Sequence, residues 1–112
     1  MKIVSDKITL VELRKLAEER FGDMVKAVVD TEKEIMAIDA ELHADEETML
    51  IENGSLQQNL WGINIYPDEP KENWIEFDSM INIRPRQGNR SRGVEDENIR
   101  NKIIMIVNKL IE

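Results

Sequence analysis

The sequence predicts an α+β fold: a four-stranded antiparallel sheet of two hairpins, N- and C-terminal helices packed on one face, and the order α-β-β-α-β-β-α. Three observations carry this expectation. Residues 10–21 and 99–111 place apolar side chains at helical spacing. Residues 23–43 and 60–84 each hold two extended runs joined by a polar turn. The 112 residues suit one α+β domain, 1–112, able to bury a core without a disulfide or metal staple.

Thr9 opens the first helix. In "TLVE" its hydroxyl takes the amide of Glu12 while the Glu12 carboxylate returns to the amide of Thr9, a capping box. Leu10, Leu13, Leu16, Ala17 and Phe21 form one stripe, and Gly22 stops the helix. Residues 2–4 suit a short added edge strand. "DMVKAVVD" is extended, because Val25, Ala27, Val28 and Val29 favour a strand, and "DTEKE" turns the chain. "IMAIDAELH" returns with Met36, Ile38, Ala40 and Leu42 on one side and Asp39, Glu41 and His43 on the other.

Residues 45–53 read two ways. Asp45 caps a short helix that Asn53-Gly54 ends, or Asn-Gly turns a hairpin. Acids clustered at the start, and polar residues without β-branching after Gly54, favour the helix. In the second hairpin Trp61, Ile63 and Ile65 alternate with Gly62, Asn64 and Tyr66. Beyond "PDEPKE", Ile75, Phe77, Ile81 and Ile83 alternate with Trp74, Glu76, Asp78, Met80, Asn82 and Arg84, and Pro67 and Pro85 end the strands. The last helix starts between Val94 and Glu97. The expected core is Leu13, Leu16, Phe21, Val29, Ile38, Leu42, Ile63, Ile65, Ile75, Phe77, Ile81, Ile83, Ile103, Ile106, Val107 and Leu110.

The net charge is −8, which repels nucleic acid at long range. No uncharged apolar run approaches the ~20 residues of a membrane span. There is no cysteine, so thiol chemistry is excluded and a reducing cytoplasm suits the chain. Against the acidic background, "NIRPRQGNRSRG" carries four of the seven arginines, and no acid lies between Asp78 and Glu95.

That loop has the ground plan of an anion site. It leaves a strand, contains Gly88 and Gly93, and leads to a helix start, where outward amides meet anions. Arg84, Arg86, Arg90 and Arg92 offer bidentate forks, with Asn89 shaping the loop. The blander reading is that these arginines meet the protein's own acids. A second constellation is Asp39, Glu41 and His43 on one strand face, joined by Glu76 and Asp78 from the next hairpin. Hard oxygens and an imidazole suit a metal, or general acid–base work on water; a solvated sheet face explains them as simply. Tyr66, Trp74 and Met80 on the same outer face suit a homodimer contact. Ser79 and Ser91 have no adjacent base, which leaves nucleophilic catalysis little support.

The stretches "GDMVKAVVD", "DAELHADEE", "LWGINIYP" and "WIEFDSMINIRPRQGNRSRGVED" resemble a family of small prokaryotic conserved proteins classed as a domain of unknown function. The resemblance covers nearly the whole chain and is most specific in the last block. It implies a compact α+β protein and carries over no catalytic residue and no cofactor. Two functions follow from the residues. The first is a non-enzymatic module that holds a small anion or an acidic partner segment at loop 84–93. The second is a small metal-assisted hydrolase built on Asp39, Glu41, His43, Glu76 and Asp78.

Overall fold

A computed structural model describes residues 1–112. Its antiparallel sheet contains β1 (Lys2–Val4), β2 (Val25–Asp30), β3 (Ile35–Ile38), β4 (Leu60–Ile65) and β5 (Ile75–Glu76), in the order β1-β3-β2-β4-β5. There are five strands rather than four, because residues 2–4 pair with β3 in the register Lys2↔Ile38 to Val4↔Met36. The helices are α1 (Leu10–Arg20), α2 (His43–Glu52) and α3 (Glu97–Leu110). No helix is long and apolar enough to cross a membrane.

Alternation along the strands sorts side chains between two cores. Val25, Ala27, Val29, Met36, Ile38, Trp61, Ile63 and Ile65 pack against α1 and α3, which bring Leu13, Ala17, Ile103, Ile106, Val107 and Leu110. Val28, Ala37 and Leu60 face the other way and meet Leu50 of α2. The expectation of helices on one face with the other face wet is therefore corrected: α2 covers much of the far face. Phe21, Leu42 and Ile83, expected in the core, are exposed. Trp74, expected on the outer face, is 7% exposed; it sits in the larger core and donates its indole N–H to the Glu69 carbonyl at 2.9 Å.

Local signals place the helices. The Thr9 hydroxyl accepts the Glu12 amide at 3.1 Å, but the Glu12 carboxylate turns to Lys2, so half of the capping box forms. Gly22 is left-handed (φ 98°) and donates to Ala17, ending α1. Asp96 accepts the amides of Asn98 and Ile99 and starts α3. Residues 43–52 form a helix, and left-handed Gly54 (φ 99°) follows it, so Asn53-Gly54 does not turn a hairpin.

The third strand ends earlier than its letter pattern implies. Asp39 is left-handed (φ 67°), a conformation short polar side chains tolerate, and Arg20 holds its carboxylate at 3.2 Å. The Ala40 amide, next in line for the ladder, goes instead to Glu46 Oε2 at 3.1 Å. Glu46 is fully buried, its Oε1 has no partner, and burial pushes its carboxyl up to about 9.

Glu46 therefore ties stability to pH. Its folded value lies above the reference of 4.5, so the folded chain holds a proton that the unfolded chain releases. That contribution is full below about pH 4.5 and is lost as pH rises toward 9, on the order of 1 kcal/mol per pH unit. Glu46→Gln keeps the acceptor and cannot ionise. Urea midpoints are expected to fall from pH 5 to pH 8 in the wild type and to fall markedly less in the variant; parallel slopes would show that Glu46 does not hold its proton.

Candidate functional site

The far face carries a cleft where α2 does not reach. β2, β4 and β5 are in register there: Lys26 lies beside Asn64, and Asn64 beside Glu76. One residue further along β4 is Ile63, whose carbonyl meets His43 Nε2 at 2.7 Å. A carbonyl only accepts, so Nε2 carries the hydrogen and Nδ1 keeps its lone pair. Burial pushes the imidazole below its ordinary value, against the opposing pull of the Ile63 hydrogen bond; Lys26 adds to the lowering.

The other wall is a strap, residues 77–95, whose first part, as far as Arg84, alternates like a strand in the sequence. β5 stops after Glu76. The Ser79 hydroxyl accepts the Ile81 amide at 3.3 Å and caps a single helical turn, Met80–Asn82, so local hydrogen bonding replaces the ladder. Asn82 then takes the place of a strand. Its Oδ1 accepts the Gly62 amide at 2.8 Å, and its Nδ2 donates to the carbonyls of Gly62 (3.0 Å) and Arg92 (2.9 Å). Gly62 has to be glycine for this approach. A Cβ there would stand 2.5 Å from both Cβ and Oγ of Ser79 and 3.2 Å from Cγ of His43. Ser79 and His43, far apart in sequence, thus flank the same bare strand position, a proximity that no sequence adjacency announces.

Asn89 holds the rest of the strap. Its Nδ2 donates to Asn82, Ser91 and Gly93 carbonyls, and its Oδ1 accepts the Glu95 amide at 2.8 Å. The amides of Arg90 and Ser91 converge on Glu95 Oε2 at 2.7 and 2.8 Å, and this holds the Glu95 carboxyl below its ordinary value. The anion received by the loop's backbone is the protein's own carboxylate.

The arginines separate. Arg84 donates to the carbonyls of Gln57 and Leu60 (the latter at 2.6 Å) and stacks on Trp61, 4.1 Å from the ring centre. Arg92 Nε donates to Asp78 Oδ1 at 2.6 Å. Arg86 lies in a separate polar hollow with Gln57, Arg84 and Gln87, and Gly88 is left-handed at the turn before Asn89.

The acidic row also divides. Asp39 and Glu41 lie at another corner, both within 4 Å of Arg20, because left-handed Asp39 breaks the strand face they were expected to share with His43. His43, Glu76 and Asp78 do come together, with Arg92 and Lys26, around a cleft of about 540 Å³ whose lip carries exposed Leu42 and Met80. Tyr66 and Asn64 donate to Glu76 Oε1 at 3.1 and 2.8 Å. No three His, Asp or Glu side chains gather as a metal ion would need, so the five-residue metal face does not form.

A family model described as "Protein of unknown function (DUF5674)" matches residues 2–110. No curated protein and no solved structure is similar enough to match.

Gly62→Ala is expected to destabilise the fold by about 1–3 kcal/mol, the usual effect of forcing an extra methyl into a packed site. A urea midpoint equal to the wild type would mean that Ser79 moves aside freely.

Proposed function

The chain belongs to this family of unknown function, and we propose that it is a small-molecule binding module that takes an anionic ligand in the Lys26–His43–Arg92 cleft. This relocates the anion from loop 84–93 to the hollow beside it. One observation carries the reading: Lys26, part-buried in that cleft, makes no salt bridge, whereas Arg84, Arg92 and Glu95 are already engaged. The Lys26 ammonium lies 5.5 Å from the centre of the Phe21 ring. A cleft of about 540 Å³ is in the range of small-ligand sites. His43, its Nε2 hydrogen spent on the Ile63 carbonyl, walls the cleft, and Leu42 and Met80 supply an apolar lip.

A metal-assisted hydrolase is disfavoured because Asp39 and Glu41 lie apart from His43. An acidic partner segment at loop 84–93 has Arg86 and Arg90 left to it, and makes a separable reading. Trp74 is buried and offers no homodimer surface, whereas Met80 and Leu42 are exposed. We read the setting as cytoplasmic.

Phosphate, acetate and succinate at millimolar concentration are expected to raise the melting temperature of the wild type. Lys26→Ala should remove the rise, and Arg86→Ala with Arg90→Ala should leave it intact. Loss of the rise only in the double arginine variant would return the site to the loop, and no rise in the wild type would end the anion reading.

A further inference from the structure

Resting on that reading, we propose that the ligand is a short-chain monocarboxylate, its carboxylate at Lys26 and its apolar tail against Leu42 and Met80. Leu42 breaks a local rule. It is the N-cap of α2, a position where Ser, Thr, Asp and Asn rank far above Leu because their side chains accept a helix amide. Leu42 makes no such bond, and the fold does not bury it either, since it is 56% exposed. Met80 is a second case. It opens the helical turn of the strap, where the Ser79 hydroxyl is the cap, and it is 64% exposed. Neither side chain serves a helix end or the core, yet both line the cleft that holds Lys26. Departures from local preference that the fold does not use collect at functional sites.

The lining continues this apolar surface. Met24 and Ile81, both half-buried, border the same cleft. Methionine side chains adapt to a tail of irregular shape. An apolar chain laid there would take out of water the surface of Leu42 and Met80 that the fold leaves wet. The charges set the other end. Lys26 makes no salt bridge, Arg92 is held by Asp78 at 2.6 Å, and Glu76 meets Asn64 and Tyr66 but no cation. One free ammonium answers one negative charge. A second charge on the ligand would face Glu76 or Asp78 with no cation left to offset it, so a dicarboxylate or a phosphate dianion fits less well than a monocarboxylate.

The test is calorimetry on the full chain with acetate, propionate, butyrate, succinate and phosphate, and with butanol as the uncharged match. Affinity is expected to rise about three- to fourfold per added methylene from acetate to butyrate, with butyrate above succinate and phosphate. Leu42→Ser with Met80→Ser, at two exposed positions outside the core, should flatten the series to the affinity of acetate. Lys26→Ala should weaken every acid. A flat series in the wild type, or a rising one that the double serine variant leaves unchanged, overturns the apolar tail at this lip and keeps the anion reading. A dimer in light scattering that the double serine variant splits, with a flat series, gives the lip to a second copy and does the same. Succinate or phosphate bound more tightly than butyrate overturns the monocarboxylate alone. Butanol bound as tightly as butyrate, or no binding by any probe, overturns the anion reading and this inference with it.

Discussion

The strap that walls the cleft depends on one side chain replacing backbone: the carboxamide of Asn82 pairs with Gly62 where a fifth strand would otherwise continue. Carboxamide and peptide present the same donor and acceptor, so the ladder on β4 stays satisfied after β5 has ended. Asn82 is fully buried and its Nδ2 also ties down the Arg92 carbonyl. Losing it would leave the Gly62 amide and carbonyl without partners, each costing about 1–3 kcal/mol, while the Arg92 carbonyl would keep the Ser79 amide. The arrangement requires glycine on the other side, since any Cβ at Gly62 would overlap Ser79. Asn89 repeats the device within the loop. Two asparagines and one glycine therefore fix a 19-residue segment that has almost no regular structure, and they carry Asp78, Ser79 and Arg92 to the cleft.

What was legible in the sequence follows from this. Signals that act within four residues survive folding: the Thr9 cap, the Gly22 stop, and the acids at the head of α2. Alternation worked wherever both neighbouring strands supply a ladder, as in β2 and β4. It failed in two places where the letters alternate but the backbone does not. Asp39 turns left-handed under Arg20, so Glu41 and His43 leave the face that Asp39 occupied, and His43 becomes the first residue of a helix whose cap position, Leu42, has no capping side chain to announce it. Ser79 sits at an apolar-phase position of the final run and starts a turn. Both failures have the same physical origin: a side chain satisfies backbone groups, and no periodicity records that. His43, Glu76 and Asp78 line one cleft because the β4–β5 hairpin lies beside β2, the adjacency on which their convergence depends. The separation of His43 from Asp39 and Glu41 depended on a single φ angle.

The arginine cluster illustrates how composition overstates a site. Local charge of +4 over residues 79–94 suggests a ligand patch. In three dimensions the cations serve different ends. Arg84 is a packing element that covers Trp61 and closes two carbonyls, and Lys in its place would lose both the stack and the fork. Arg92 and Asp78 are about half exposed, so their pair adds little stability, ~0–1 kcal/mol; its effect is to position two charges at the cleft edge. The converging amides at Arg90 and Ser91 form an anion receptor whose occupant is supplied five residues downstream.

An acidic protein is an unpromising host for an anion only if its charges act together. In physiological salt the screening length is about 8 Å, shorter than any dimension of this molecule, whose smallest extent is 23 Å. An ion in the cleft would therefore respond to Lys26, Arg92, Glu76 and Asp78 far more than to the remaining acids. Those four sum to zero, with Lys26 and Glu76 two strands apart in one row and Arg92 paired with Asp78 beside it. The overall −8 acts earlier, on approach, where it turns away polyanions many Debye lengths long. A small ion crosses that outer field at far less cost than a polyanion and meets the cleft's own charges inside, so an acidic surface that turns away nucleic acid is compatible with the compact anion proposed for the cleft.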